Sequence, residues 1–321
     1  MNIRKIHKSL VSDRFPLILS IVIFIALRLI GNDNWLAGDL WIAMIIQISI
    51  ALSLLYLTQT FVIIRQRTLL PAFCYLLLVG TEPLFFYDMK GSVSALIIVF
   101  CLFFLFGTYQ NPHSQSSAFN ISLLLTLGSF YWDPLLFFFP LFWYGMYRFR
   151  SFTLKTFFAS LMGFILIYLF IFTWSIFQND LPIFSDSLPK FKSLGNFSDI
   201  QLLTYNLKGW LIIGFTTFLV ILSGLKIFMS GIAEKIRTMV TLSFLYVFLL
   251  LSFIFSLFQG EWEKEWILIL YVPLAFLIAH FFTLSYKKWV TWLFLFTIVF
   301  FLAAFGWDYI ASFIYPLLGI S

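Results

Sequence analysis

Charge is scarce in this chain: Asp, Glu, Lys and Arg make up 11% of its 321 residues, against roughly 25% in a soluble globular domain. That scarcity excludes an ordinary water-facing surface. Cysteine is scarcer still. Cys74 and Cys101 are the only two, and both sit inside apolar runs, which excludes a disulfide framework and a cysteine metal site. The three histidines, His7, His113 and His280, stand far apart, so neither a Ser-His-Asp arrangement nor metal-ligand spacing can be assembled along the sequence, and no phosphate-binding glycine loop is present. Strand-like alternation is missing, which excludes an outer-membrane barrel. The formal net charge is +6, yet the basic residues form no single patch, so nucleic acid is not expected as a partner.

Apolar mass is what the chain has instead, with 62% hydrophobic and 21% aromatic residues. Eleven apolar segments follow one another at 16–31, 41–63, 69–87, 92–109, 117–131, 134–147, 155–177, 209–229, 237–258, 266–285 and 289–306, nine of them of spanning length or near it. Backbone in lipid must satisfy its own hydrogen bonds, so these segments are expected to be helices. The expected fold is all-α, a polytopic transmembrane bundle with about eleven membrane segments, in one integral membrane domain over residues 1–321. Arg4, Lys5, Lys8 and Arg14 precede a first apolar stretch that carries Arg28 and lacks a small-residue cleavage site. It reads as an uncleaved signal anchor.

Loop charge sets the expected orientation. With the N-terminus in the cytoplasm, Arg4, Lys5, Lys8, Arg14, Arg65, Arg67, Arg148, Arg150, Lys155, Lys226, Lys235, Arg237, Lys287 and Lys288 all fall inside, 14 of the 20 basic residues. Lys90, Lys190, Lys192, Lys208 and Lys264 fall outside. Such a bias is the positive-inside pattern of an inner (plasma) membrane protein. Segments 117–131 and 134–147 are each only about 22 Å long as helices, short of the ~30 Å hydrocarbon core. A single kinked helix through 117–147 would invert every later loop, so a short helical hairpin is expected, turning at Trp132-Asp133-Pro134. The longest polar connection, 178–208, is expected outside. Its length points to a functional loop or a disordered one.

Candidate site residues follow from charge in costly places. Arg28 and Glu82 lie inside apolar segments, where an ionisable group marks a functional site by default. Both are expected a short way below the outer surface, at matched depth, either paired or sharing one site. Asp33 and Asp39 frame the first external loop. A carboxylate there can serve as a general base or, with other oxygens, hold a divalent cation, although Asp39 also fits the N-cap of the following helix. Asp133 before Pro134 fits a helix start, cap then N1. His280 is expected to be a packing or interfacial residue. No protein-held metal site and no resident cofactor are expected.

Two resemblances add to this. Leu70-Pro71-Ala72 through Thr81-Glu82-Pro83-Leu84, the stretch from Phe119 to Tyr147, and Ile269 to Leu284 with its YVPLAFLIAHFF core resemble a polytopic membrane family of Bacteroidota with a domain of unknown function. More distantly, Leu27-Arg28-Leu29-Ile30-Gly31 followed by Asp33, with the paired short helices after Leu123 to Gly128, is similar to the GT-C membrane glycosyltransferases. That resemblance implies a polyprenyl-phosphate sugar as partner and Asp33 as the catalytic acid, with a divalent cation in some members; Arg28, Glu82, Asp39 and Asp133 are the candidate substrate-binding residues from their charge and position alone. The paired acidic motif of that family is absent here. The expectation is a reduced GT-C-like transferase, or a binder of lipid-linked glycans, at the outer face of the inner membrane. A non-enzymatic scaffold subunit with a membrane protein partner is the alternative, and a transporter comes third.

Overall fold

The computed structural model describes residues 15–31, 37–66, 68–178, 182, 184, 207–229, 236–258, 264–284 and 288–318. Asp33 and nearly all of the expected external loop 178–208 lie outside the described residues. Those described form eleven α-helices and no strand: α1 Phe15–Ile30, α2 Gly38–Phe61, α3 Leu70–Gly80, α4 Met89–Gly107, α5 Gln115–Ser129, α6 Phe138–Arg148, α7 Leu154–Phe177, α8 Leu207–Met229, α9 Ile236–Phe258, α10 Lys264–Leu284 and α11 Lys288–Leu318. Two 3-10 turns, Pro83–Phe85 and Asp133–Phe137, complete them. Seven helices, α2, α4 and α7 to α11, are long and apolar enough to cross a membrane. The chain is a multi-pass membrane protein.

The helix boundaries correct two expectations and add to a third. Segment 69–87 is not one helix. Proline at 83 pushes the residue before it out of helical conformation, Glu82 is extended at φ −111° and ψ 110°, and α3 stops at Gly80 after eleven residues, about 16 Å of rise. The last segment does not end at 306. One aspartate, Asp308, is too little to stop an otherwise apolar helix, and α11 runs on to Leu318. The 117–147 region is two helices, but the returning arm is longer than α6 alone, because the five residues of its 3-10 turn add about 10 Å at ~2 Å each.

The turn between the two arms closes with Tyr131 and Trp132 both donating to the Gly128 carbonyl, at 2.9 and 3.0 Å. At the far end, the Gln110 amide donates to Phe149 O at 2.9 Å and Ser151 Oγ bonds Thr108 Oγ1 at 3.0 Å. The chain entering α5 is therefore stitched to the chain leaving α6, as a hairpin requires.

The helices gather into two compact units. Unit 1 takes residues 1–89, 201–234 and 271–321, and unit 2 takes 90–200 and 235–270. Each is built from segments distant in sequence, so no single cut separates them and no linker marks a boundary.

In unit 1 every residue of α3 is buried, packed by α1, α2 and α11. Phe73 meets Phe294 with ring centroids 5.7 Å apart. Phe215 of α8 meets Phe300 of α11 at 4.3 Å, and Ser223 Oγ donates to Leu277 O at 2.8 Å.

In unit 2 the hairpin packs on α7 and α9. Gly163 of α7 lies so close to Ser122 Oγ and the Phe119 carbonyl that a Cβ would collide with both. Trp143 Nε1 donates to Ser160 Oγ at 3.0 Å, and Phe138 stacks on Phe248 at 5.5 Å. Helix α7 starts with a capping box between Thr153 and Thr156. Helix α6 ends in a Schellman motif: Ser151 N reaches Met146 O at 2.9 Å, and Arg150 N reaches Tyr147 O at 3.1 Å. The residue in the left-handed position of that motif is Arg150, with φ 56°. Glycine is usual there, and a side chain costs roughly 1 kcal/mol.

Candidate functional site

Arg28 is fully buried in the last turn of α1. A helical side chain leans toward the N-terminus of its own helix. Arg28 thus leans back along α1, while Gln47, in the oppositely directed α2, leans toward the start of α2. The two meet: Arg28 Nη2 donates to Gln47 Oε1. Arg28 Nη1 donates to Phe86 O at 2.7 Å and Nη2 to Phe85 O at 3.2 Å, and Gln47 Nε2 donates to the same Phe85 carbonyl at 3.2 Å. Carbonyls at the end of a helical turn run short of backbone donors, which makes this turn a ready acceptor for a buried cation. The guanidinium also lies over the rings of Phe24 and Phe86, 4.9 and 4.6 Å from their centroids. Its Nε is buried without a hydrogen-bond partner among the described residues.

Glu82 pairs with another residue. It stands just before the same turn, outside the helix in which it was expected, and meets Lys208 of α8 at 3.5 Å, the two side chains being 16% and 11% exposed. Of the two expected arrangements, a direct Arg28–Glu82 pair or one shared site, the direct pair does not form: Arg28 bonds Gln47 and the Phe85 and Phe86 carbonyls, and Glu82 meets Lys208. Carbonyls and an amide meet the cost of a buried cation without a carboxylate. Asp88 is buried a few residues further on, and fully buried Tyr75 of α3 lies within coulombic reach of both Arg28 and Asp88.

The residues that flank 32–36, Gly31 and Ala37, pack at this end of unit 1. Gly31 approaches Phe86 and Phe305 so closely that a Cβ would sit 2.7 and 3.2 Å from their rings. Ala37 packs on the cluster of Leu27, Leu40, Phe86 and Phe305. Asp39 is exposed in the first turn of α2, two residues beyond the N-cap, Ala37, so it is a first-turn carboxylate and not the cap. Asp133 likewise opens its 3-10 turn one place after the cap, Trp132. It belongs to unit 2. His280 is fully buried in α10. Among the described residues no three His, Cys, Asp or Glu side chains gather to hold a metal ion.

Sequence reasoning missed Gln47, Tyr75, Asp88 and Lys208 as members of this cluster. Gln47 carried a readable signal, a lone amide in the apolar run Ile45-Ile46-Gln47-Ile48. Comparison with family models, curated proteins and solved structures finds no match to this chain.

Proposed function

We propose that the protein binds an anionic lipid-linked glycan, of the polyprenyl-phosphate class, at the end of unit 1 formed by Arg28, Glu82 and Lys208, facing the outer side of the inner membrane. The observation that carries this reading is the gathering of charged and polar groups from four elements, α1, α2, α8 and the turn after α3, at one end of an otherwise apolar unit. Lys208, a partly exposed cation beside the partly exposed Glu82 carboxylate, is the group that a phosphate meets. Arg28 has another part. With three hydrogen bonds committed to Gln47 and the turn carbonyls, it holds the Phe85–Phe86 backbone in place and is not the phosphate ligand. By the GT-C resemblance, Asp33 would accept a proton from an acceptor hydroxyl, and Asp39 lies in the first turn of α2 after it in sequence. The GT-C resemblance allows a divalent cation as well.

Binding and transfer are separable. Photo-crosslinking of the full chain in nanodiscs with a polyprenyl-phosphate sugar should label unit 1, and Lys208→Gln should reduce labelling several-fold. Equal labelling in Lys208→Gln and wild type would remove this site, leaving the scaffold reading. Asp33→Asn should leave labelling intact and abolish sugar transfer; absence of transfer in wild type would restrict the protein to binding. For orientation, a thiol introduced as Asp39→Cys should react with an impermeant reagent from outside, and Lys155→Cys should not. The reverse pattern would place the site on the cytoplasmic face.

A further inference from the structure

One end of unit 2 gathers cations, and among the described residues the segments that carry them, 134–178 and 236–258, hold no acid. Arg148 closes α6, Arg150 follows it, Lys155 lies in the first turn of α7, and all three are exposed. Arg237, half-buried in the first turn of α9, is tied to the same end by Nη2 to Phe106 O at 3.2 Å and by its approach to the Tyr109 ring at 5.4 Å. Arg148 Nη2 bonds Ser243 Oγ of α9 at 3.2 Å. Residues 89–132, 134–179 and 235–260 contain no Asp or Glu. The acid nearest to Arg237 in sequence, Glu234, lies outside the described residues. Exposed apolar side chains alternate with these cations: Tyr147, Phe152 and Leu154 are 70%, 40% and 78% exposed.

Orientation signalling alone does not account for Arg150. A cation anywhere in this connection would serve the positive-inside pattern. This one occupies the left-handed position of the Schellman motif, where a side chain is a penalty. The segments around it are stitched by Gln110 N to Phe149 O and Ser151 Oγ to Thr108 Oγ1, so its backbone is held by neighbours on both sides. Gln110 is itself left-handed, with φ 56°.

We infer that this end of unit 2 is a binding site for an anionic phospholipid. The headgroup phosphate sits among Arg148, Arg150 and Lys155, and the acyl chains run along Tyr147, Phe152 and Leu154. Guanidinium forks suit phosphate oxygens, and the apolar neighbours give the tails a surface that free phosphate cannot use. The site is independent of the one proposed in unit 1.

The test is thermal unfolding of the full chain in a neutral detergent with added phosphatidylglycerol, phosphatidylcholine or inorganic phosphate. Phosphatidylglycerol should raise the midpoint, and the other two should not. An equal rise with inorganic phosphate, or none with phosphatidylglycerol, would overturn the site. The triple variant Arg148→Gln, Arg150→Gln, Lys155→Gln should bind phosphatidylglycerol on the order of a hundredfold more weakly, at about fivefold per cation. Arg150→Gly guards against simple misfolding, because glycine relieves the left-handed backbone. It should bind about fivefold more weakly while its lipid-free midpoint stays level or rises. Unchanged phosphatidylglycerol affinity in Arg150→Gly would also overturn the proposal.

Discussion

Arg28 in unit 1 and Arg150 in unit 2 solve opposite problems with one side chain. Arg28 is fully buried and its backbone is ordinary helix, so the difficulty is the charge, met by two carbonyls, Gln47 and two aromatic rings. Arg150 is exposed and its charge is easily hydrated, so the difficulty is the backbone, met by the hydrogen bonds that bracket it. The contrast separates two uses of a cation in a membrane protein. A buried guanidinium whose hydrogens are spent on backbone is an element of construction. An exposed one held in an unfavourable conformation remains available to something outside the protein.

Substitutions can break or sharpen that contrast, and the largest effect is expected at Arg28. Arg28→Leu removes the donors to Phe86 O and Gln47 Oε1 and leaves Phe85 O with Gln47 Nε2, and should destabilise by about 2–6 kcal/mol, at roughly 1–3 kcal/mol for each buried acceptor left unmet. Arg28→Lys should recover only part of this, because one ammonium cannot reproduce the planar fork. Unfolding in mixed detergent reads both, and a loss below about 1 kcal/mol in Arg28→Leu would return Arg28 to the pool of available ligands.

Gly163→Ala comes next, at about 1–3 kcal/mol for overpacking, since α5 and α7 meet there backbone to side chain. Gly214→Ala, where nothing lies within 4 Å, should be neutral or slightly stabilising. If the two behave alike, the tight approach of the hairpin to α7 is not what holds it. Arg150→Gly should stabilise by roughly 1 kcal/mol, opposite in sign to every substitution at Arg28. The smallest effect is expected for Glu82→Gln, below about 1 kcal/mol for a partly exposed pair. A larger loss would mean that Glu82 supports the turn as Arg28 does.

The helices were legible in the sequence because lipid leaves the backbone no alternative, and each apolar segment holds one. The break before Asp133 was legible for a second reason: Pro134 and the loop-charge bias pointed the same way. The break after Gly80 was not read, although Pro83 was in view, since apolar residues on both sides of Glu82 hid the end of α3. Arg28 was legible as costly but its partners were not. Backbone carbonyls carry no sequence signal, and a cation in an apolar run directs attention to the nearest carboxylate, Glu82, whose partner Lys208 lies 126 positions later in the chain. Arg150 was read only as a topology marker, because left-handed backbone at a residue other than glycine has no signature in sequence.

The hairpin of α5 and α6 has a consequence for biogenesis. Its two feet are joined, Gln110 to Phe149 and Ser151 to Thr108, so its contribution to the parity of the chain's path is zero. The insertion machinery can pass over both arms, insert them late or hold them at the surface, and α7 still enters from the side it would otherwise have used. Arms individually too short to partition with confidence are thereby relieved of any say in orientation, which falls to the long helices and the charged connections between them. An insertion error confined to this hairpin leaves the orientation of the later helices unchanged, whereas the same error in a single spanning helix would turn the rest of the protein upside down.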